Sequence, residues 1–151
     1  MSSSPTPPQS KIITPQTAHD LAYGNLLKVF SERDASKRQA AIKDVYNADC
    51  VVYEPGSITF SGAAATDETV QKLLTEREGW DFVPVGNVQL NHDFVYLKWG
   101  FGPRSSGEFG SGDPEGVDVK ATGADHFLVD PESKKIKLLY VVIDGAADVR
   151  L

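Results

Sequence analysis

The stretch Val117-Asp118-Val119-Lys120-Ala121-Thr122-Gly123-Ala124-Asp125-His126-Phe127-Leu128-Val129 decides how this chain reads. Side chains of a β-strand alternate between two faces. One face would carry Val117, Val119, Ala121, Gly123, Asp125, Phe127 and Val129, and the other Asp118, Lys120, Thr122, Ala124, His126, Leu128 and Asp130. The first face is apolar at every position except Asp125. A carboxylate there must find hydrogen-bond donors or a counter-charge, or it must take up a proton. The alternation predicts a half-buried strand over 117–129. It makes Asp125 either a bonded structural acid or a functional one.

Working outward, the turn Asp130-Pro131-Glu132-Ser133-Lys134 leads into a second strand over 136–143, antiparallel to the first. That strand puts Leu139, Val141 and Ile143 on one face and Ile136, Leu138, Tyr140 and Val142 on the other. A strand apolar on both faces must be covered on both. Helices are expected on one side and a second copy of the sheet on the other, so a homodimer through the sheet is expected. Upstream, residues 82–88 and 94–101 also read as strands. The loop from Phe101 to Val117, rich in Gly and Pro, is expected to be mobile and solvent-facing.

The front half is helical. Thr14 caps and Pro15 opens a helix with Ala18, Leu21, Ala22, Leu26, Val29 and Phe30 at helical spacing. A second helix follows Asp34, with Ala41, Ile42, Val45 and Tyr46 on its face. A third begins near Thr66, carries Val70, Leu73 and Leu74, and stops at Gly79. Between them, residues 50–54 and 58–60 flank Pro55-Gly56 as a hairpin. Helices segregated from a mostly antiparallel sheet define an α+β domain over 14–151. Residues 1–13, rich in Ser and Pro, read as a disordered tail.

Composition narrows the function. The net charge of −6 disfavours nucleic-acid backbones and anionic membranes as partners. The single cysteine, Cys50, cannot form an internal disulfide. The first ten residues lack the basic and apolar regions of a secretion signal, and no apolar run has the length of a membrane span, so a cytoplasmic protein is expected. His19, His92 and His126 show no metal-ligand spacing, and no dinucleotide or nucleophile-elbow motif is present. No metal and no cofactor are expected.

A second acid repeats the pattern of the first. Cys50, Val52 and Glu54 share a strand face, with Glu54 at its end. If Glu54 and Asp125 enter one cavity, the ionised one raises the pKa of the other. One base beside one neutral donor is a way of moving protons at neutral pH. Trp99 shares a face with Val95, Leu97 and Phe101, as sheet core or as a pocket wall.

The run Ala48-Asp49-Cys50-Val51-Val52-Tyr53-Glu54-Pro55, followed by Ser61-Gly62 and a helix, resembles the front half of NTF2-like enzymes. Trp99-Gly100-Phe101-Gly102-Pro103, Thr122-Gly123-Ala124-Asp125 and Lys135-Ile136-Lys137-Leu138-Leu139-Tyr140 resemble their SnoaL-like branch, and the likeness spans 14–144. It implies a cone: a curved, mixed sheet wrapped by three N-terminal helices around a cavity. By the layout of the related ketosteroid isomerases, Glu54 falls at the catalytic base and Asp125 at the oxyanion-donor acid. At the place of the tyrosine that completes the oxyanion hole, Leu26 falls nearest, with Tyr23 about one turn earlier. Tyr23, Trp99, Phe127 and Tyr140 are then the candidate ligand contacts. The resemblance implies acid–base chemistry of isomerase, dehydratase or cyclase type on a small hydrophobic molecule bearing a carbonyl or hydroxyl. The alternative is a non-catalytic ligand-binding or protein-interaction module of the same fold.

Overall fold

The structure, a computed structural model, describes residues 12–146 and residue 149. Most of the expected tail lies outside the described residues. At its end, Ile13 is buried in the core and its amide donates to the His92 carbonyl at 3.2 Å.

Helix α1, Pro15–Tyr23, begins where Thr14 Oγ1 accepts from the Thr17 amide and Pro15 fills the first turn. It runs directly into a π-helical turn, Gly24–Val29. Helix α2, Ala35–Val45, is capped by Asp34, whose carboxylate accepts from the Lys37 amide. Helix α3, Ala63–Glu76, starts earlier than Thr66 and ends before Gly79, which takes a φ of +80° in the following turn. Buried Arg38 ties α2 to α3 through Asp67 at 2.6 Å and Gln71 at 2.6 Å.

The strands are β1 Tyr46–Glu54, β2 Ile58–Ser61, β3 Trp80–Asn91, β4 Phe94–Pro103, β5 Ala121–Asp130 and β6 Lys135–Ile143. They form one sheet in the order β2-β1-β6-β5-β4-β3, with β1 parallel to β6 and every other pair antiparallel. The sheet is mixed and curved, and the fold is α+β, with the helices against the sheet's inner face. The core lies between its inner face and the helices, around Leu26, Val52, Leu97, Phe127 and Leu139. No described helix is long and apolar enough to cross a membrane.

Three local readings are corrected. Residues 117–120 are not part of β5: Asp118 and Lys120 donate their amides to Pro103 and Phe101 carbonyls and run alongside β4 instead. This approach is so close that a Cβ on Gly102 would lie 1.8 Å from the Asp118 carbonyl oxygen. Ile136 points into the core rather than sharing a face with Leu138, because the register of β5 with β6 shifts between Leu128 and Val129. The 101–117 loop is exposed along Ser105–Phe109 yet anchored from beneath. Arg104 Nε donates to Asp81 at 2.8 Å, and its remaining nitrogens donate to the carbonyls of Ser106, Asp113 and Glu115. Asp81 also accepts from the Gly110 amide at 3.0 Å, and the Arg33 guanidinium lies 4.1 Å from the Phe109 ring centre.

Candidate functional site

A cavity of about 580 Å³ opens between the inner face of the sheet, the π-helical turn and α3. Glu54 and Asp125 both line it. Most of the other walls are apolar, with the charged side chains Lys72, Glu76 and Arg77 at the exposed rim, so a charge brought deep inside is removed from much of its water.

Asp125 sits at the middle of β5, paired with Leu97 of β4 and Val141 of β6. It is buried, and both of its oxygens accept from neutral side chains: Oδ1 from Trp99 Nε1 at 3.1 Å, Oδ2 from Asn25 Nδ2 at 3.0 Å. Asn25 is itself fully buried on the π-helical turn, and its Oδ1 accepts from the Tyr46 hydroxyl. Four side chains from four elements thus form one chain: Tyr46, Asn25, Asp125, Trp99. No cation touches Asp125 among the described residues.

Trp99 reaches Asp125 because its cross-strand partner is Gly123. A Cβ at 123 would lie 2.5 Å from the indole and 2.3 Å from the Val142 carbonyl oxygen. Glycine at this position is therefore part of how the site is built.

The environment sets the protonation. Burial is the main cause lifting the Asp125 carboxyl from 3.8 to about 7; the Trp99 and Asn25 hydrogen bonds pull it down and the Glu54 charge pushes it up. Burial also raises Glu54 above the ordinary carboxyl range. The Tyr46 hydroxyl is held well above 10 by burial and by the Asp125 charge, so it serves as a donor. Cys50 is buried and its thiol is pushed up to about 12 by burial and Asp49, which keeps it a thiol.

The structure brings together Glu54, Asp125 and Trp99, and it separates the other three sequence candidates from them. Tyr23 stacks on His19 at 4.2 Å and lines a different groove, between α1 and β3. Phe127 is packed in the core. Tyr140 stacks on Tyr53 at 4.7 Å on the outer face of the sheet, where it is 47% exposed. Leu26 lines the cavity and supplies no hydroxyl there. Sequence reasoning missed Asn25 and Tyr46. The signal was an amide in the middle of the apolar stripe Leu21, Ala22, Leu26, Val29. Among the described residues no group of three His, Cys, Asp or Glu side chains could hold a metal ion.

No protein-family model matches the chain, and no curated protein matches it. Solved structures do. A SnoaL-like family protein from Agrobacterium tumefaciens, described as a candidate isomerase, superposes with a TM-score of 0.70 at 18% identity, covering 86% of this chain and 99% of that one. A SnoaL-like protein from Jannaschia sp. CCS1, described as a candidate polyketide cyclase, gives 0.61 at 13% identity over 94% and 92% of the two chains. An NTF2-like protein from Exiguobacterium sp. 255-15 gives 0.59 at 16% identity over 85% and 98%. These likenesses show the fold, which is the NTF2-like one.

Proposed function

We propose that this protein is a cofactor-independent acid–base enzyme, of isomerase, dehydratase or cyclase type, acting on a hydrophobic molecule that bears a carbonyl or hydroxyl. The observation carrying this reading is that two acids with raised pKa values, Glu54 and Asp125, line one apolar cavity. Proton transfer is most effective when the group titrates near the working pH, and Asp125 is poised at about 7. Glu54 takes a proton from carbon. Asp125 gives a hydrogen bond, or its proton, to the oxygen that gains charge. Trp99 and Asn25 each occupy one lone pair on a different Asp125 oxygen, so the acid's own proton is left free for a ligand. The non-catalytic alternative is less well supported, because Asp125 has neutral donors where a structural acid would have a cation.

The test is deuterium exchange at the α-carbon of 2-tetralone, followed by NMR from pH 5 to 9. Catalysed exchange is expected, with Glu54→Gln lowering it by about 10²- to 10⁴-fold, the usual weight of a positioned acid or base. Exchange at the background rate throughout, in a folded protein, would remove this reading.

We also propose a homodimer through the outer face of the sheet. That face exposes Phe94, Tyr140 and Val142 at 39–47% and carries the Tyr53–Tyr140 stack, a patch of a kind that marks interfaces. Light scattering at micromolar concentration should give twice the chain mass, and Tyr140→Glu should give the monomer; a monomeric wild type speaks against it. The lone buried thiol of Cys50 goes with residence in the cytoplasm.

A further inference from the structure

We infer that the cavity selects a flat, unsaturated ligand carrying a carboxylate, read by Arg77 at the mouth. The inference rests on the reading above for which end of the ligand points inward.

A ladder of rings leads from the buried acid to the surface. Trp99, bonded to Asp125, meets Phe82 edge-on at 5.3 Å; Phe82 stacks on Phe101 at 4.0 Å; Phe101 meets Trp80 at 5.1 Å. The first three rings are buried and Trp80 is half-buried, so the ladder runs from inside to outside. All four line the cavity. Such a wall favours a flat π-system over a saturated body of equal volume, because offset and edge-on ring contacts add to area burial.

The ladder ends under a cation. The Arg77 guanidinium lies 5.3 Å from the Trp80 ring centre, and Arg77 lines the cavity. The rim carries one other cation, Lys72, which is within 4.0 Å of Glu76 on the same helix. Those two charges offset each other. Arg77 has no carboxylate partner among the described residues, and a guanidinium is matched by planar oxyanions. The sign of the two ends follows. An anion placed inside would meet Glu54 and Asp125, so it belongs at the mouth, and the neutral carbonyl or hydroxyl belongs inside.

The probes are 6-hydroxy-2-naphthoic acid and its methyl ester, titrated by calorimetry at pH 7.5 and low salt. The two share the ring system and the hydroxyl, and at the other end one carries a carboxylate and the other an uncharged methyl ester. The wild type should bind the acid about fivefold more tightly, the worth of one exposed ion pair of about 1 kcal/mol. Arg77→Leu, which keeps a hydrocarbon stem over Trp80, should bind both at the ester's affinity. Arg77→Lys should restore part of the preference. Equal affinity for acid and ester in the wild type overturns the inference. So does a preference that survives Arg77→Leu, or no binding of either probe at millimolar concentration. The 2-tetralone assay reads the inner end of the cavity separately. Failure there with acid–ester discrimination intact leaves the inference standing, and loss of discrimination with exchange intact overturns this inference alone.

Discussion

Two buried aspartates, on strands β3 and β5 with β4 between them, meet opposite surroundings. Asp81 on β3 is fully buried and lies against a guanidinium: Arg104 at 2.8 Å, with Arg33 at 3.9 Å and the amides of Phe82 and Gly110 also aimed at it. Asp125 on β5 is as deeply set and receives two neutral N–H groups, an indole and an amide, with a cavity on its other side. Asp81 is therefore held as a structural anion whose partner fastens the glycine-rich loop. Asp125 is held in balance between charged and neutral forms. Burial is common to both acids; the charge of the partners and the empty space beside Asp125 are what set it apart, and they are what the proposed proton-donor role rests on.

The largest loss is expected at Asp81. Asp81→Asn leaves Arg104, whose side chain is 1% exposed, as an uncompensated buried cation. Removing one partner of such a pair costs about 3–5 kcal/mol. Denaturant unfolding should record a loss of that size. A loss below 1 kcal/mol would mean that water reaches Arg104, and the contrast with Asp125 would fail.

Asp125→Asn should behave differently, and the difference lies in its pH dependence. The folded-state pKa of about 7 lies above the ordinary 3.8, so the folded protein holds this proton more tightly than the unfolded chain. The stability contributed by the group is complete below the ordinary value and is lost progressively as pH rises through about 7. Asparagine does not ionise. Rotation of the Asn25 amide would let it face the new side chain with its oxygen, while Tyr46 accepts instead of donating. The stability of the variant relative to wild type should therefore rise by about 2–3 kcal/mol between pH 5 and pH 8. A relative loss that deepens at pH 8 would show a charged structural partner and would end the proton-donor role.

The same comparison explains how much could be read in advance. Asp125 was legible because strand alternation exposes a polar residue on an apolar face, and Glu54 and Trp99 followed from the same rule. Asp81 was not, because Trp80 and Phe82 flank it and the partner that defines it, Arg104, lies beyond a separate strand and is named by no local pattern. Helical spacing predicts Tyr46 at the end of a helix, yet its backbone is already extended at φ −111° and ψ 143°; this begins β1 and turns the side chain into the core. Tyr23 is a candidate only through the family resemblance, as the tyrosine one regular turn before Leu26, and the π-helical turn that follows it breaks that regular spacing. Tyr140 lies between Leu139 and Val141 on β6, and those two face inward, so alternation alone sends it outward. The fold follows from local periodicity, whereas the chain of bonds around Asp125 depends on contacts between residues 21 to 100 positions apart.

The smallest effect tests the far end of that chain. Tyr46→Phe removes one hydroxyl and leaves the ring in place. Asn25 Oδ1 then loses its donor in a site without water access, at a cost of about 1 kcal/mol. The amide also loses the bond that fixes which of its ends faces Asp125. Its N–H then stabilises the ionised carboxyl less, so the midpoint of Asp125 should move upward by a fraction of a pH unit. The Trp99 indole N–H, bonded to the other oxygen, is a direct reporter: its NMR resonance should titrate near pH 7 in the wild type and higher in Tyr46→Phe. A lower midpoint, or an indole resonance that does not respond to pH in either protein, would mean that Asn25 and Tyr46 merely fill space. Asp125 would then be a buried acid set by desolvation alone. An upward move would show that the protonation of an acid at the centre of the sheet is set in part by a tyrosine that never touches it.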